Sequence, residues 1–128
     1  MKLLLDTHAF LWWVSDNPKL SPRARRLIAA GTNQVFFSAA SAWEIAINTG
    51  LGRLTVAGDL QEFMLEQLRL NGFEVLPIHL KHALLTHRLP PHHSDPFDRM
   101  LVAQAMAEGL AILSADPALG RYRVRVVW

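Results

Sequence analysis

Hydrophobic residues follow two alternating patterns along this chain. Short apolar runs of strand length recur, and between them the apolar residues repeat at the three- and four-residue spacing of amphipathic helices. Cap residues mark the borders: Ser21-Pro22 is a typical helix start, and Gly31 is a typical stop. The pattern predicts strands over residues 3–5, 34–37, 73–78, 110–113 and 124–127, and helices over residues 7–14, 22–30, 39–50, 59–70, 80–88 and 96–108.

Strands that alternate with helices predict an α/β domain with a central, largely parallel sheet of about five strands flanked by helices. A chain of 128 residues without internal repeats or linkers fits one domain over residues 1–128. The absence of cysteine excludes disulfides and thiolate metal sites, and it suits the reducing cytoplasm, where we expect the protein. Asp6 interrupts the first apolar run too early for a secretory signal, and we expect no membrane segment.

Four acidic residues, Asp6, Glu44, Asp98 and Asp116, stand where an apolar stretch gives way to a predicted helix. Since parallel strands end along one sheet edge, where α/β domains bind ligands, we expect the four carboxylates to meet there. Such a group would repel itself unless a cation neutralised it. The sequence therefore predicts a Mg²⁺ site, which Mn²⁺ can also fill, and hydrolysis of phosphodiester bonds by metal-activated water.

Each acid also has a purely structural explanation. Asp6 and Asp116 are suitable helix or turn caps, and Asp98 would favour the positive end of a helix that Asp95 caps. These explanations and the shared site both remain open at this point, because helix starts collect at the edge where parallel strands end.

Glu44 fits a structural explanation least well. Ser41-Ala-Trp-Glu44 matches the capping-box pattern, but if Ser38 is the true cap, Glu44 lies well inside the helix. Its neighbours Trp43, Ile45 and Ile47 are residue types of a protein core. A carboxylate there is costly unless it has a partner, which favours a functional role.

Several motifs together resemble one family. They are Leu3-Leu-Leu-Asp6-Thr7-His8, the segment from Ser38 to Ile47, the segment from Leu89 to Ala105 with Asp95-Pro-Phe-Asp98-Arg99, Leu113-Ser-Ala-Asp116, and the closing residues 122–128. They resemble the PIN-domain ribonucleases and, within them, the VapC toxins of bacterial toxin–antitoxin pairs. The order of the four acids, with the Asp-Pro-Phe-Asp-Arg segment, is the specific part of the similarity.

The resemblance implies a Mg²⁺-dependent endoribonuclease, the toxin of a VapBC-type pair, whose partner is a small antitoxin. It makes Asp6 and Asp98 the expected direct metal ligands and Glu44 and Asp116 supporting residues that hold metal-bound water. The expected auxiliary residues are Thr7 and Ser114, which would position a water or a phosphate, and Asp95, which competes with Asp98 but also suits the helix cap.

Arginine dominates the basic residues, although the net charge is only +2. Arginine pairs with phosphate in a bidentate manner, so Arg23 and Arg26 in one cluster, and Arg99 after Asp98, are candidate RNA contacts. A solvated charged face is the alternative for the cluster. His92-His93 with Asp95 is either a transition-metal group or a polar loop.

Large apolar residues at Trp12-Trp13 and Phe63-Met64 predict a homodimer face or an antitoxin groove, with simple core packing as the alternative. Two other functions compete with the ribonuclease. A phosphoryl-transfer domain of receiver or phosphatase type would need a second acid beside Asp6, which Thr7-His8 does not provide. A non-catalytic nucleic-acid-binding module would have to tolerate four acids that repel phosphate.

Overall fold

The computed structural model describes all 128 residues and contains a five-stranded parallel sheet in the order β3-β2-β1-β4-β5. The α/β architecture predicted from the sequence is confirmed. The outer strands are shorter than predicted. The strands are β1 Lys2–Leu5, β2 Gln34–Ser38, β3 Glu74–Leu76, β4 Ala111–Leu113 and β5 Val126–Val127, and the helices are α1 Thr7–Val14, α2 Pro22–Ala29, α3 Ala39–Gly50, α4 Leu60–Asn71, α5 Leu80–Leu85 and α6 Pro96–Glu108.

The central strand β1 is buried on both faces, as expected for a parallel sheet covered by helices. Leu3 and Leu5 join a core that contains Phe10 of α1 and Phe37 of β2. Leu4 points to the opposite face, where the helix α6 covers it in a second core. Apolar residues therefore pack on both faces of β1 and hold the strand, and with it the position of Asp6, which follows directly.

Side-chain caps define the helix starts that the sequence predicted. The hydroxyl of Ser38 accepts a hydrogen bond from the Ala40 amide, and Asp95 accepts from the amides of Phe97 and Asp98. Gly109 ends α6 at a φ of 68°, a left-handed conformation in which glycine carries no Cβ penalty. These caps place α3 immediately after β2 and fix the first turn of α6.

The expectation that Trp43 and Ile47 belong to the core was wrong. The side chains of Trp43 and Ile47 are 62% and 38% exposed, because α3 packs its Ser41 and Ile45 side inward. Conversely, Trp12 and Trp13 are half-buried against the core, and the indole N–H of Trp13 donates to Asn71 at 2.9 Å. Core packing therefore accounts for the tryptophan pair.

A buried amide ties α6 to two strand ends. Gln104 is fully buried, its Oε1 accepts from the Ser38 hydroxyl at 2.5 Å, and its Nε2 donates to the Pro77 carbonyl at 3.2 Å. The helix that carries Asp98 is thereby held against the ends of β2 and β3. None of the helices combines the length and the apolarity that a membrane-spanning segment needs.

Candidate metal centre

The four acids lie together at the carboxyl edge of the sheet. Asp6 directly follows β1, Asp116 follows β4, Glu44 lies within α3 and Asp98 lies in the first turn of α6. Their charges act on one another: Asp98 is affected by Glu44 and Asp6, and Asp6 by Asp116. The local caps and the shared cluster coexist, because the helix starts bring the acids to one edge.

Asp6 caps α1 and is largely removed from water. Its Oδ1 accepts from the Ala9 amide at 2.7 Å. Burial raises the pKa of the Asp6 carboxyl, and the charge of Asp116 adds to that rise. Hydrogen bonds from the Ser114 hydroxyl and the Ala9 amide oppose the rise, as does the nearby His8. Burial therefore disfavours the charged form of Asp6, and a bound cation would stabilise it.

Glu44 is held by α1 and does not serve as a cap. Its Oε1 accepts a hydrogen bond from Thr7 Oγ1 at 2.6 Å, and the same hydroxyl lies 2.9 Å from Ser41 Oγ. Thr7 is only 7% exposed and Ser41 is buried. The capping-box alternative for Ser41 and Glu44 is therefore wrong, because Ser38 caps the helix. The prediction that Thr7 contacts water or phosphate stays a prediction.

Asp98 is the acid whose ionisation is most strongly affected. Burial, and then the charges of Asp95, Glu44 and Asp6, raise the pKa of its carboxyl to about 6, while His93 lowers it. Asp95 stays at the helix cap and is exposed. It acts on Asp98 through its charge.

Asp116 has the opposite electrostatic environment. Its Oδ1 accepts from the Ala118 amide at 2.9 Å, and its Oδ2 lies 3.1 Å from Nε2 of His93. The hydrogen bond from His93 is the main reason why the pKa of Asp116 is lowered, even though burial opposes it. Its amide donates to Ser114 Oγ at 3.1 Å. The Ser114 hydroxyl also lowers the pKa of Asp6, so Ser114 acts on both strand-end acids.

His93 is the site residue that the sequence did not identify. A ligand atom of His93 and one each of Asp98 and Asp116 lie within 4.8 Å of one another. The sequence signal was the His92-His93 pair, which was grouped with Asp95 as a possible metal site or a polar loop. His92 instead packs edge-on against Tyr122, with ring centroids 4.9 Å apart. The conformation of the loop determines which of the two histidines lies near the acids, and residue spacing in the sequence does not reveal that conformation.

The three candidate RNA-binding arginines lie in different surroundings. Arg99 donates to four backbone carbonyls of the loop that carries His93. Arg23 and Arg26 are exposed on α2, and Arg26 shares a surface depression with Asp16, at the far end of α1 from Asp6. The structure does not bring this arginine cluster to the acids, and all three RNA contacts stay predictions.

The donor set fits a hard divalent cation. None of the four acids forms a salt bridge with lysine or arginine, and His93 is the only basic partner, on Asp116. Burial is the main cause of the raised pKa values of Asp6 and Asp98, and no lysine or arginine offsets it. Carboxylate oxygens suit Mg²⁺ and Mn²⁺, and one imidazole nitrogen is compatible with Mn²⁺.

Comparison with known proteins places this geometry in a family. A model of the PIN domain family matches residues 3–124. No curated protein matches the chain in sequence. In structure, the chain is similar to VapBC2 from Rickettsia felis bound to a DNA fragment from their promoter, with a TM-score of 0.70, 15% identity, and coverage of 99% of this chain and 98% of that one.

Two further solved structures share the fold. FitAcB from Neisseria gonorrhoeae has a TM-score of 0.70 at 20% identity, and the match covers 98% of this chain and 96% of that one. VapBC-1 from nontypeable Haemophilus influenzae has a TM-score of 0.65 at 13% identity, and the match covers 99% and 97%. Similarity at these identities reports the fold alone.

Proposed function

This chain belongs to the PIN domain family, and we propose that it is a Mg²⁺-dependent endoribonuclease, the toxin of a VapBC-type toxin–antitoxin pair. The observation that carries the proposal is the cluster of four acids without a lysine or arginine partner at the carboxyl edge of the sheet. A phosphodiester substrate cannot approach such a cluster unless a cation reverses the local charge.

The hydrogen bonds of the four acids support a division of roles. Asp6 and Asp98 have raised pKa values, and their carboxylates gain most from a cation, so we assign them as direct ligands. Glu44 and Asp116 already accept hydrogen bonds from Thr7 and His93, which suits supporting residues that orient water. When bound, Mg²⁺ (or Mn²⁺) supplies positive charge for the phosphate oxygens and lowers the pKa of water.

An aromatic pair beside the acids, of which Trp43 is exposed, supports a single-stranded RNA substrate. The rings of Trp43 and Phe97 meet edge to face with centroids 5.4 Å apart, and Trp43 is 62% exposed. Each directly precedes a site acid, Glu44 or Asp98. Unpaired bases stack on exposed aromatic side chains whatever their sequence, so this pair offers a contact for a nucleotide next to the scissile phosphate.

The proposed partner is a small antitoxin, and we also propose a homodimer. Support comes from the similar structures, which are of VapBC and FitAB. Exposed leucines on α4 and α5 supply apolar surface for such contacts, namely Leu65, Leu70, Leu80 and Leu84. Light scattering after size exclusion, with and without a co-expressed neighbouring reading frame, tests both parts. A monomer that never binds that product contradicts them.

Cleavage of a labelled single-stranded RNA tests the activity. We expect cleavage in Mg²⁺, its loss with EDTA and its return with Mn²⁺. Asp6→Asn and Asp98→Asn should each reduce the rate by on the order of 10²-fold or more. Asp59→Asn is the matched control, because Asp59 also caps a helix, through the Glu62 amide, on exposed surface outside the cluster.

The outcomes separate the competing functions. Cleavage that persists in both site variants would contradict the proposed centre. RNA binding that survives EDTA, with no turnover in either metal, would favour a non-catalytic binding module. Labelling of Asp6 by acetyl phosphate would favour a phosphoryl-transfer domain instead.

A further inference from the structure

We infer that His93 is a positioning residue that orients Asp116 for the metal, and that Arg99 acts through His93 by holding its loop. The inference rests on the proposed metal centre and adds two residues to it. It also replaces RNA contact with loop support as the main task of the Arg99 guanidinium.

The His93 ring reaches the centre through one nitrogen. Its side chain is 12% exposed, and Nε2 lies 3.1 Å from Asp116 Oδ2. A carboxylate only accepts hydrogen bonds, so Nε2 carries the proton of this bond. The other ring nitrogen, Nδ1, is buried and has no hydrogen-bond partner. No hydrogen bond holds the ring from behind, but the Tyr122 ring lies beside it with centroids 5.8 Å apart. The position of the His93 ring therefore depends on that contact and on the backbone of residue 93.

Two contacts fix that backbone. The His93 amide donates to the hydroxyl of Tyr122 at 2.9 Å, and the His93 carbonyl accepts from Arg99 Nη1 at 3.3 Å. Tyr122 is itself buried. The peptide groups on both sides of the His93 side chain are thus tied to the body of the domain.

Arg99 organises the rest of the loop. Nη1 also donates to the Pro90 carbonyl at 2.9 Å, and Nη2 donates to the carbonyls of Thr86 at 2.8 Å and Leu89 at 3.1 Å. These carbonyls lie between α5 and α6, in a segment whose only regular structure is a 3-10 turn at Thr86–Arg88, and two of them also accept a backbone amide: Thr86 from Leu89 and Pro90 from His92. A planar guanidinium can serve four acceptors, whereas the single ammonium of lysine has three donors on one atom.

The consequence for the metal follows from the two oxygens of Asp116. The Ala118 amide holds Oδ1, so that oxygen keeps its partner without His93. Oδ2 would lose its hydrogen bond, and the carboxylate would no longer be fixed in one rotation. Loss of a supporting hydrogen bond of this kind typically weakens metal binding by about 10- to 100-fold.

Mn²⁺ titration of the whole chain, followed by electron paramagnetic resonance, tests the inference without relying on activity. We expect His93→Ala to raise the dissociation constant for Mn²⁺ by about 10- to 100-fold. His93→Gln keeps a side-chain N–H donor and should recover a large part of the affinity. Arg99→Gln and Arg99→Lys should weaken binding in the parent protein, but by less than about twofold in the His93→Ala background. Arg88→Gln, on exposed surface next to the same loop, is the control and should leave the affinity unchanged.

Four results would each contradict a different part of this inference. Unchanged affinity in His93→Ala, with normal Mn²⁺ binding by the parent chain, removes the positioning role. Equal effects of Arg99→Gln in both backgrounds show that Arg99 does not act through His93. A nitrogen coupling to bound Mn²⁺ that disappears in His93→Ala makes His93 a direct ligand instead. Absence of Mn²⁺ binding by the parent chain contradicts the metal centre itself, and this inference with it.

Discussion

The turns after β1 and β4 are similar in sequence position and in having an aspartate cap, but the pKa values of the two aspartates shift in opposite directions. These strands are parallel neighbours, and an aspartate follows each of them as a cap: Asp6 accepts from the Ala9 amide, and Asp116 from the Ala118 amide. Yet the pKa of Asp6 is raised and that of Asp116 is lowered. The cap hydrogen bond therefore does not decide how each carboxyl ionises.

The surroundings of the two turns decide it instead. Asp6 is enclosed where α1 meets the sheet, and burial outweighs its hydrogen bonds. The Asp116 side chain is 44% exposed and has His93 as a partner from a distant loop. The charged form of Asp6 is therefore disfavoured and would gain from a cation, whereas the charged form of Asp116 is already stabilised by His93. That difference is the basis for assigning Asp6 as a ligand and Asp116 as a support.

The largest effect should come from cleavage assays that set Asp6→Asn against Asp116→Asn. Asparagine keeps the capping oxygen, so each change removes charge and little else. We expect a loss on the order of 10²- to 10³-fold for Asp6→Asn. For Asp116→Asn we expect about 10- to 100-fold, in line with a supporting residue. Initial rates at saturating Mg²⁺ measure both, and equal losses would erase the distinction between the turns.

Asp98 extends the comparison to pH. Its pKa of about 6 means that protons compete with Mg²⁺ just below neutrality. We expect the Mg²⁺ dissociation constant to be nearly constant above pH 7 and to rise by up to about tenfold per unit below pH 6. Calorimetric titrations from pH 5 to pH 8 would show this. A flat profile would mean that Asp98 does not have to ionise for the metal to bind.

Asp6→Asn and Asp116→Asn should change the thermal stability of the metal-free protein in opposite directions. A raised pKa, as at Asp6, gives stability that is present below the unfolded value of 3.8 and is lost as the pH rises through the folded value. A lowered pKa, as at Asp116, gives stability that is present above 3.8 and is lost as the pH falls through the folded value. At pH 7.5 with EDTA, we expect Asp6→Asn to raise the Tm and Asp116→Asn to lower it, each by a few degrees.

The control for this measurement is the same pair of variants with saturating Mg²⁺. There the gain of Asp6→Asn should disappear, because the parent chain is then stabilised by its ligand. Thermal unfolding followed by circular dichroism is sufficient. Shifts of the same sign in both variants, without metal, would show that the two turns are electrostatically alike.

The smallest effect should come from Ser114, which connects the two turns. Its hydroxyl lowers the pKa of Asp6 and accepts from the Asp116 amide. Ser114→Ala should therefore raise the pKa of Asp6 further and move the acidic limit of Mg²⁺ binding to higher pH. Ser114→Thr, which keeps the hydroxyl, is the matched variant. An unchanged pH limit in Ser114→Ala would show that the Ser114 hydroxyl does not affect the ionisation of Asp6.

Local chemistry made most of the fold predictable from the sequence. Ser38, Asp95-Pro96 and Gly109 mark helix ends through hydrogen bonds or backbone angles that involve only near neighbours, and the structure has helix ends at these positions. The position of the four acids followed from a general property of parallel sheets, that strand ends share an edge.

The parts that could not be predicted depend on distant contacts. His93 reaches Asp116 only because Arg99 and Tyr122 hold its loop, and no local pattern encodes that path. The exposure of Trp43 was missed because residue type alone does not reveal which side of α3 packs inward. The roles of residues that depend on a loop conformation or on the orientation of a helix therefore cannot be predicted from a single sequence.

The strand order has a consequence for how the protein is made. The central strand β1 comes from the first residues of the chain, yet Leu3 pairs with Ala111, and Asp6 shares its site with Asp116. A ribosome that synthesises the chain from the amino end has released β1 long before β4 exists. The four acids therefore cannot come together until β4 and the turn that carries Asp116 have been synthesised, so a chain that stops before β4 is expected to lack the complete acidic cluster.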